Sequence, residues 1–68
     1  MVSIYKIDNI KNTKEGKEMI GELRGLSTDT KPTKIGENII GNGCVFVEID
    51  TQKLSFFDGD TKEWKEVQ

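Results

Sequence analysis

The stretch Gly43 to Val67, GCVFVEIDTQKLSFFDGDTKEWKEV, holds all three phenylalanines and the only tryptophan, with apolar and polar side chains alternating between turn-forming clusters. Alternation with a period of two belongs to strands and not to helices. The clusters Asp50 to Lys53 and Asp58 to Lys62 divide the stretch into three runs, which predicts a three-stranded meander.

The strands can be paired from the pattern alone. Setting Ile49 opposite Leu54 puts Val47 opposite Phe56 and Asp50 opposite Lys53. One face then carries Val45, Val47, Ile49, Leu54 and Phe56, and is the expected core. The other carries Cys44, Phe46, Glu48, Asp50, Lys53, Ser55 and Phe57. A slip by one residue would set Asp50 against Leu54 and bury a carboxylate, so the loop should hold an even number of residues. A two-residue type I′ turn demands positive φ at both central positions, which β-branched Thr51 resists. Four residues, Asp50 to Lys53, suit a type I turn instead. The second turn, Asp58-Gly59-Asp60-Thr61-Lys62, leaves two registers open. Pairing Asp58 with Lys62 sets Trp64 opposite Phe56; pairing Phe57 with Trp64 sets Asp58 against Glu63, which is electrostatically worse, so the first is preferred. Either way Trp64 caps an aromatic cluster, and its burial is worth about 2 to 3 kcal/mol.

Sixty-eight residues make one domain. A chain of this size buries only about 60% of the surface that its unfolded form exposes, so stability is marginal and self-association would help. Cys44 is the only cysteine. An internal disulfide is therefore impossible, and a reducing compartment is the simpler expectation. No apolar run has the length of a membrane span, and the N-terminus lacks the build of a signal peptide. Residues 1–36 carry seven Lys or Arg against five acids, and residues 37–68 three against seven. An acidic meander argues against tracking phosphates, which draws its affinity from Lys and Arg.

Ahead of the meander, Met1 to Asp8 reads as a strand and polar Asn9 to Lys17 as a loop. Met19, Ile20, Leu23 and Leu26 have helical spacing, yet Gly16, Gly21 and Gly25 each cost a helix interior about 1 kcal/mol. A strand from Glu18 to Arg24 is favoured over the short helix, with Met19, Gly21 and Leu23 on one face and Ile20 on the other. Segment 27–42 is expected to be a surface linker, with Lys31 held extended before Pro32. It ends at Asn42-Gly43, a tight-turn signal. The expected fold is thus all-β: a small antiparallel sheet with an N-terminal hairpin (1–26), a linker (27–42) and a meander (43–68), without internal repeats.

The chain has no histidine. That removes the commonest general base and metal ligand, along with Ser-His and Cys-His nucleophilic pairs. Asp58 to Glu63 has two oxygens of a calcium loop but places Lys62 among them, so a hairpin turn is the better reading. Glu48 and Asp50 share a strand face, but so short a chain offers little cleft to tune a carboxylate pair, and Lys53 supplies an ordinary partner for Asp50. No catalytic residue, cofactor or metal is expected. Phe46, Phe56, Phe57 and Trp64 resemble a base-stacking platform in composition, set against acidic surroundings. Phe46 and Phe57 point away from the aliphatic face and need a cover: the N-terminal hairpin, the linker or another subunit. With Ser55 and Glu48 they form the candidate interaction surface.

Gly25-Leu26-Ser27-Thr28-Asp29-Thr30-Lys31-Pro32-Thr33, then Asn42-Gly43, Phe46-Val47-Glu48-Ile49-Asp50-Thr51, Lys53-Leu54, Phe56-Phe57-Asp58 and Trp64 together resemble short proteins encoded in the structural-gene regions of phages and prophages of Gram-positive bacteria. The run of Asp-Thr, Lys-Leu, an aromatic, Asp and a later Trp looks like hairpins of phage fibre and other virion proteins. The resemblance spans residues 25–67, with Ser55 standing where tyrosine is expected. It implies a non-enzymatic structural or accessory protein of the virion that works by assembling or displaying β-surface, and it assigns no catalytic or binding residue. The implied partners are a second copy or another virion protein, not a membrane and not nucleic acid. The implied location is the bacterial cytoplasm during assembly and then the virion. The alternative is a small binding module, either a phage-encoded regulator of a host protein or a single-strand nucleic-acid binder.

Overall fold

A computed structural model describes residues 2–67. Its strands are β1 (Ser3–Thr13), β2 (Gly16–Gly25), β3 (Lys34–Ile35), β4 (Asn38–Ile40), β5 (Val45–Glu48), β6 (Leu54–Asp58) and β7 (Glu63–Glu66), with no helix among the described residues. The all-β expectation holds, and Gly16–Gly25 is a strand and not a helix. The sheet is nevertheless mixed. β2 pairs antiparallel with β1 along one edge, while along the other it pairs parallel first with β4 and then with β5. β5, β6 and β7 form the expected antiparallel meander.

β1 runs five residues beyond the expected end of the first strand. Asn9 to Thr13 is ladder and not loop, paired as far as Thr13 with Gly16. Every residue from Ser3 to Asn12 is exposed, so this edge strand has no buried face to imprint an apolar period on its second half. Thr13 closes the turn: its Oγ1 donates to the Gly16 carbonyl at 2.7 Å and accepts from the Glu15 N–H at 3.3 Å. Register shifts between Ile4 and Lys6 and between Ile7 and Asn9 mark two irregularities. They put Ile4, Ile7 and Ile10 opposite Leu23, Gly21 and Met19, all on one side. Ten ladder residues at about 3.3 Å each span about 33 Å, which accounts for the molecule's 35 Å long axis.

The inward face collects Met19 and Leu23 from β2, Ile40 from β4, Cys44, Phe46 from β5 and Phe57 from β6, each at most 3% exposed. Trp64 packs edge-on to Phe46 and Phe57, with ring centroids 5.8 and 5.1 Å away. The two faces of the meander are therefore the reverse of the expectation. Ile49, Leu54 and Phe56 are 59, 39 and 42% exposed, while Ser55 and Glu48 are buried. The parallel pairing decides this, because it puts Leu23 level with Phe46 and so aligns the buried side of β2 with the aromatic side of β5.

Two registers also differ from the expectation. Val47 lies opposite Leu54 and Val45 opposite Phe56, two residues from the predicted pairing; a shift by two keeps each side chain on its predicted face. Phe57 lies opposite Trp64 and Asp58 opposite Glu63. Packing of the indole against two phenyl rings outweighs one exposed like-charge pair. Both hairpins close by the same device, a four-residue loop whose last residue is left-handed: Gln52 and Lys62 each have φ of 61°. Their amides donate to Glu48 and Asp58 carbonyls. Asp-Thr occupies the same two places in each loop.

The segment expected to be a plain linker does three things. Ser27 to Thr33 crosses as a strap, Lys34 to Ile40 makes the small hairpin of β3 and β4, and the Asn42-Gly43 turn is a jog between β4 and β5 instead of a reversal. At the end of the strap Trp64 Nε1 donates to the Pro32 carbonyl at 2.8 Å.

Two substitutions test this packing. Trp64→Ala is expected to cost about 3 kcal/mol and Trp64→Phe, which keeps the ring but drops the bond to Pro32, about 1 kcal/mol, both read by chemical denaturation. A Trp64→Ala loss below about 1 kcal/mol would mean that the indole is not part of the core. At Gly21 a Cβ would stand 2.3 Å from the Lys6 carbonyl oxygen. Gly21→Ala should therefore cost about 2 to 3 kcal/mol by forcing β1 off β2, and an unchanged denaturation midpoint would contradict the close approach of these strands.

Candidate functional site

The meander's two faces differ in exposure. Phe46, Phe57, Ser55 and Glu48, the sequence candidates for an interaction surface, are brought together, but on the inward side, at 0, 3, 2 and 5% exposure. Trp64 packs on both rings, and the chain's own strap, one of the three expected covers, reaches Phe46 and Glu48. Lys31 Nζ sits 5.2 Å from the Phe46 ring centroid and 2.8 Å from Glu48 Oε2. A buried carboxylate must be paired and hydrogen-bonded. Glu48 meets both conditions, since Thr51 Oγ1 also donates to its Oε1 at 2.7 Å.

Asp50 holds the start of the strap. Its oxygens accept from the Ser27 N–H at 2.9 Å and the Ser27 hydroxyl at 2.5 Å. Lys53, expected beside Asp50, instead lies 3.5 Å from Glu66, following the shift in register. In the calcium-like turn, Asp58 Oδ1 accepts from the backbone N–H groups of Asp60 and Thr61 at 2.9 and 3.4 Å, and the Asn42 side chain accepts from the Gly59 N–H at 2.8 Å. These carboxylates are structural ties. Lys31 and then the Thr51 hydroxyl hold the Glu48 carboxyl below its ordinary value. The Ser27 hydroxyl and then its N–H do so for Asp50, and the Asp60 and Thr61 amides for Asp58. Among the described residues no group of three or more His, Cys, Asp or Glu is placed to hold a metal ion. Cys44 is buried, with its Sγ 3.1 Å from the Met19 carbonyl oxygen.

What remains available is the outward face. Cross-strand registers align two rows on it: Glu22, Val45, Phe56 and Lys65, and beside it Arg24, Val47 and Leu54. Val67 donates its N–H to the Leu54 carbonyl at the end of the second row. Four apolar side chains thus form a block, Leu54 and Phe56 exposed and Val45 and Val47 half-buried, with charges at its margins. Arg24 Nε lies 3.0 Å from Glu22 Oε2, and its guanidinium stacks 3.6 Å over the Tyr5 ring. Lys65 lies 3.9 Å from Glu63. The alternation in the sequence identified Val45, Val47, Leu54 and Phe56 as one group but assigned them to the core. A contrary signal lay in ring size: the opposite face carries two phenylalanines, which bury more area than valine or leucine, while β-branched valine is favoured on solvated strands as well.

Of the aromatic set suggested for base stacking, Phe46 and Phe57 are enclosed, Trp64 is half-buried against them and Phe56 alone is well exposed. Among the described residues no helix is long and apolar enough to cross a membrane. No protein-family model matches the chain, and neither a curated protein nor a solved structure matches it significantly.

The lowered carboxylates fix the sign of the pH dependence. Each binds its proton less readily in the folded chain than in the unfolded one, so stability is fully present above about pH 5 and falls as acid titrates first the unfolded and then the folded carboxylates. Urea midpoints should therefore drop between about pH 5 and about pH 3, and Glu48→Gln should flatten that drop while lowering stability at neutral pH. A wild-type midpoint that rises on acidification would contradict the role of these ties.

Proposed function

We propose that this is a non-enzymatic structural or accessory protein of the phage or prophage kind, which acts by assembling or displaying β-surface. The observation that supports this reading is the outward block of Val45, Val47, Leu54 and Phe56. Contiguous apolar side chains on a small domain, rimmed by charge, mark surfaces that another protein covers. The inward face is already satisfied by the strap, so assembly uses the outward face without unfolding. The ion-paired margin keeps the block soluble until a partner arrives.

Protein mass spectrometry on purified, DNA-filled particles from a host carrying the gene tests the reading. The chain is expected at structural abundance in particles, and Phe56→Lys, a change at an exposed site, is expected to remove it from them while leaving the fold intact by circular dichroism. Absence of the wild-type chain from particles, or incorporation indifferent to Phe56→Lys, would overturn the proposal. Recovery of the chain bound only to a host protein would replace it with the binding-module reading.

A further inference from the structure

We infer that the outward face is covered by a second copy of this chain, packed sheet against sheet about a two-fold axis that runs along the strands between β5 and β6. The inference rests on reading this face as an assembly surface and adds the identity of its occupant. Such an interface is isologous, so every residue on one side of the axis must suit the residue on the other. The first row satisfies that condition. It runs Glu22, Val45, Phe56, Lys65, an acid at one end and a base at the other, so rotation about the axis sets Glu22 over Lys65 of the second copy and Lys65 over its Glu22.

The apolar centre is complementary in size by the same operation. Val45 comes over Phe56 and Val47 over Leu54, each smaller side chain against a larger one, which lets the two layers interdigitate at even depth. The other in-plane two-fold, across the strands, sets Val45 over Val47 and Phe56 over Leu54. It stacks small on small and large on large and leaves a wedge. Arg24 falls over Val67 of the second copy, where its aliphatic stem covers the valine while its guanidinium keeps Glu22. Lys65 is the looser of the two rim ions, 3.9 Å from its own Glu63, and is free to reach across. Two sheets packed face to face keep their strands within about 30° of each other, which keeps the central four residues in register and brings the two ion pairs to the rim.

Sedimentation equilibrium on the whole chain reads the assembly. The wild type is expected to be a dimer and Phe56→Lys a monomer with unchanged circular dichroism. Glu22→Lys and Lys65→Glu, made singly, set like charges against each other and should each weaken dimerisation about tenfold or more. The double variant E22K/K65E exchanges the signs at both ends and should recover part of the affinity that the single variants lose, although each new charge stands beside a like neighbour, Arg24 or Glu63. A wild type that stays monomeric at millimolar concentration overturns the inference even if the chain is found in particles, which leaves assembly on a foreign subunit. A dimer indifferent to Phe56→Lys, or a double variant no tighter than the singles, overturns this pairing as well.

Discussion

The parallel pairing of β2 with β5, which sets Leu23 beside Phe46, is the contact on which the rest of this structure depends. It joins the two hairpins into one sheet. It also decides which side of the meander is inside, because the buried side of β2, carrying Met19 and Leu23, must be continuous with one face of β5. With Phe46 on that side, Phe57 and Trp64 follow through the antiparallel registers, and the enclosed volume is filled by rings. Gly25 completes the fit, since a Cβ there would stand 2.8 Å from the tip of the Phe46 ring.

A core on one side of a single sheet needs a second layer, and in so short a chain that layer is the strap. It covers the rings with very few apolar side chains of its own. Polar ties replace hydrophobic area: Ser27 on Asp50, Lys31 on Glu48, and the Pro32 carbonyl on the indole of Trp64. This is why a glutamate sits on the buried face. Its charge is neutralised by Lys31 and its second oxygen is satisfied by Thr51, so the inward face is closed without leaving an unpartnered polar side-chain atom among the described residues.

Closure of one face leaves the other toward solvent. The outward block is apolar on β5 and β6 and charged on the flanking β2 and β7. β1 contributes a second open feature, the side of Ile4, Ile7 and Ile10, at 37, 43 and 46% exposure. β1 is held mainly by its ladder with β2.

Much of this was legible in the sequence because it is local. Strand alternation, the parity of the meander faces, the strand character of Glu18 to Arg24 against its helical spacing, the Asn42-Gly43 turn and the need to cover Phe46 and Phe57 all follow from residues near one another in the chain. Parity, however, states only which side chains share a face. It cannot say which face is inside, since that depends on what packs there from more than twenty residues away: Leu23 beside Phe46 and Pro32 on Trp64. The aliphatic face was therefore taken for the core, and the residues of the candidate site were exchanged with those of the interior. The polar half of β1 and the strands at 34–40 were invisible for a related reason. Backbone pairing holds them, and an exposed ladder leaves no hydrophobic period to read. The sequence by itself determined the meander strands, the turns between them and the two sets of side chains they carry; only the tertiary pairing decided which set faces water, because burial is a property of neighbours and not of a pattern.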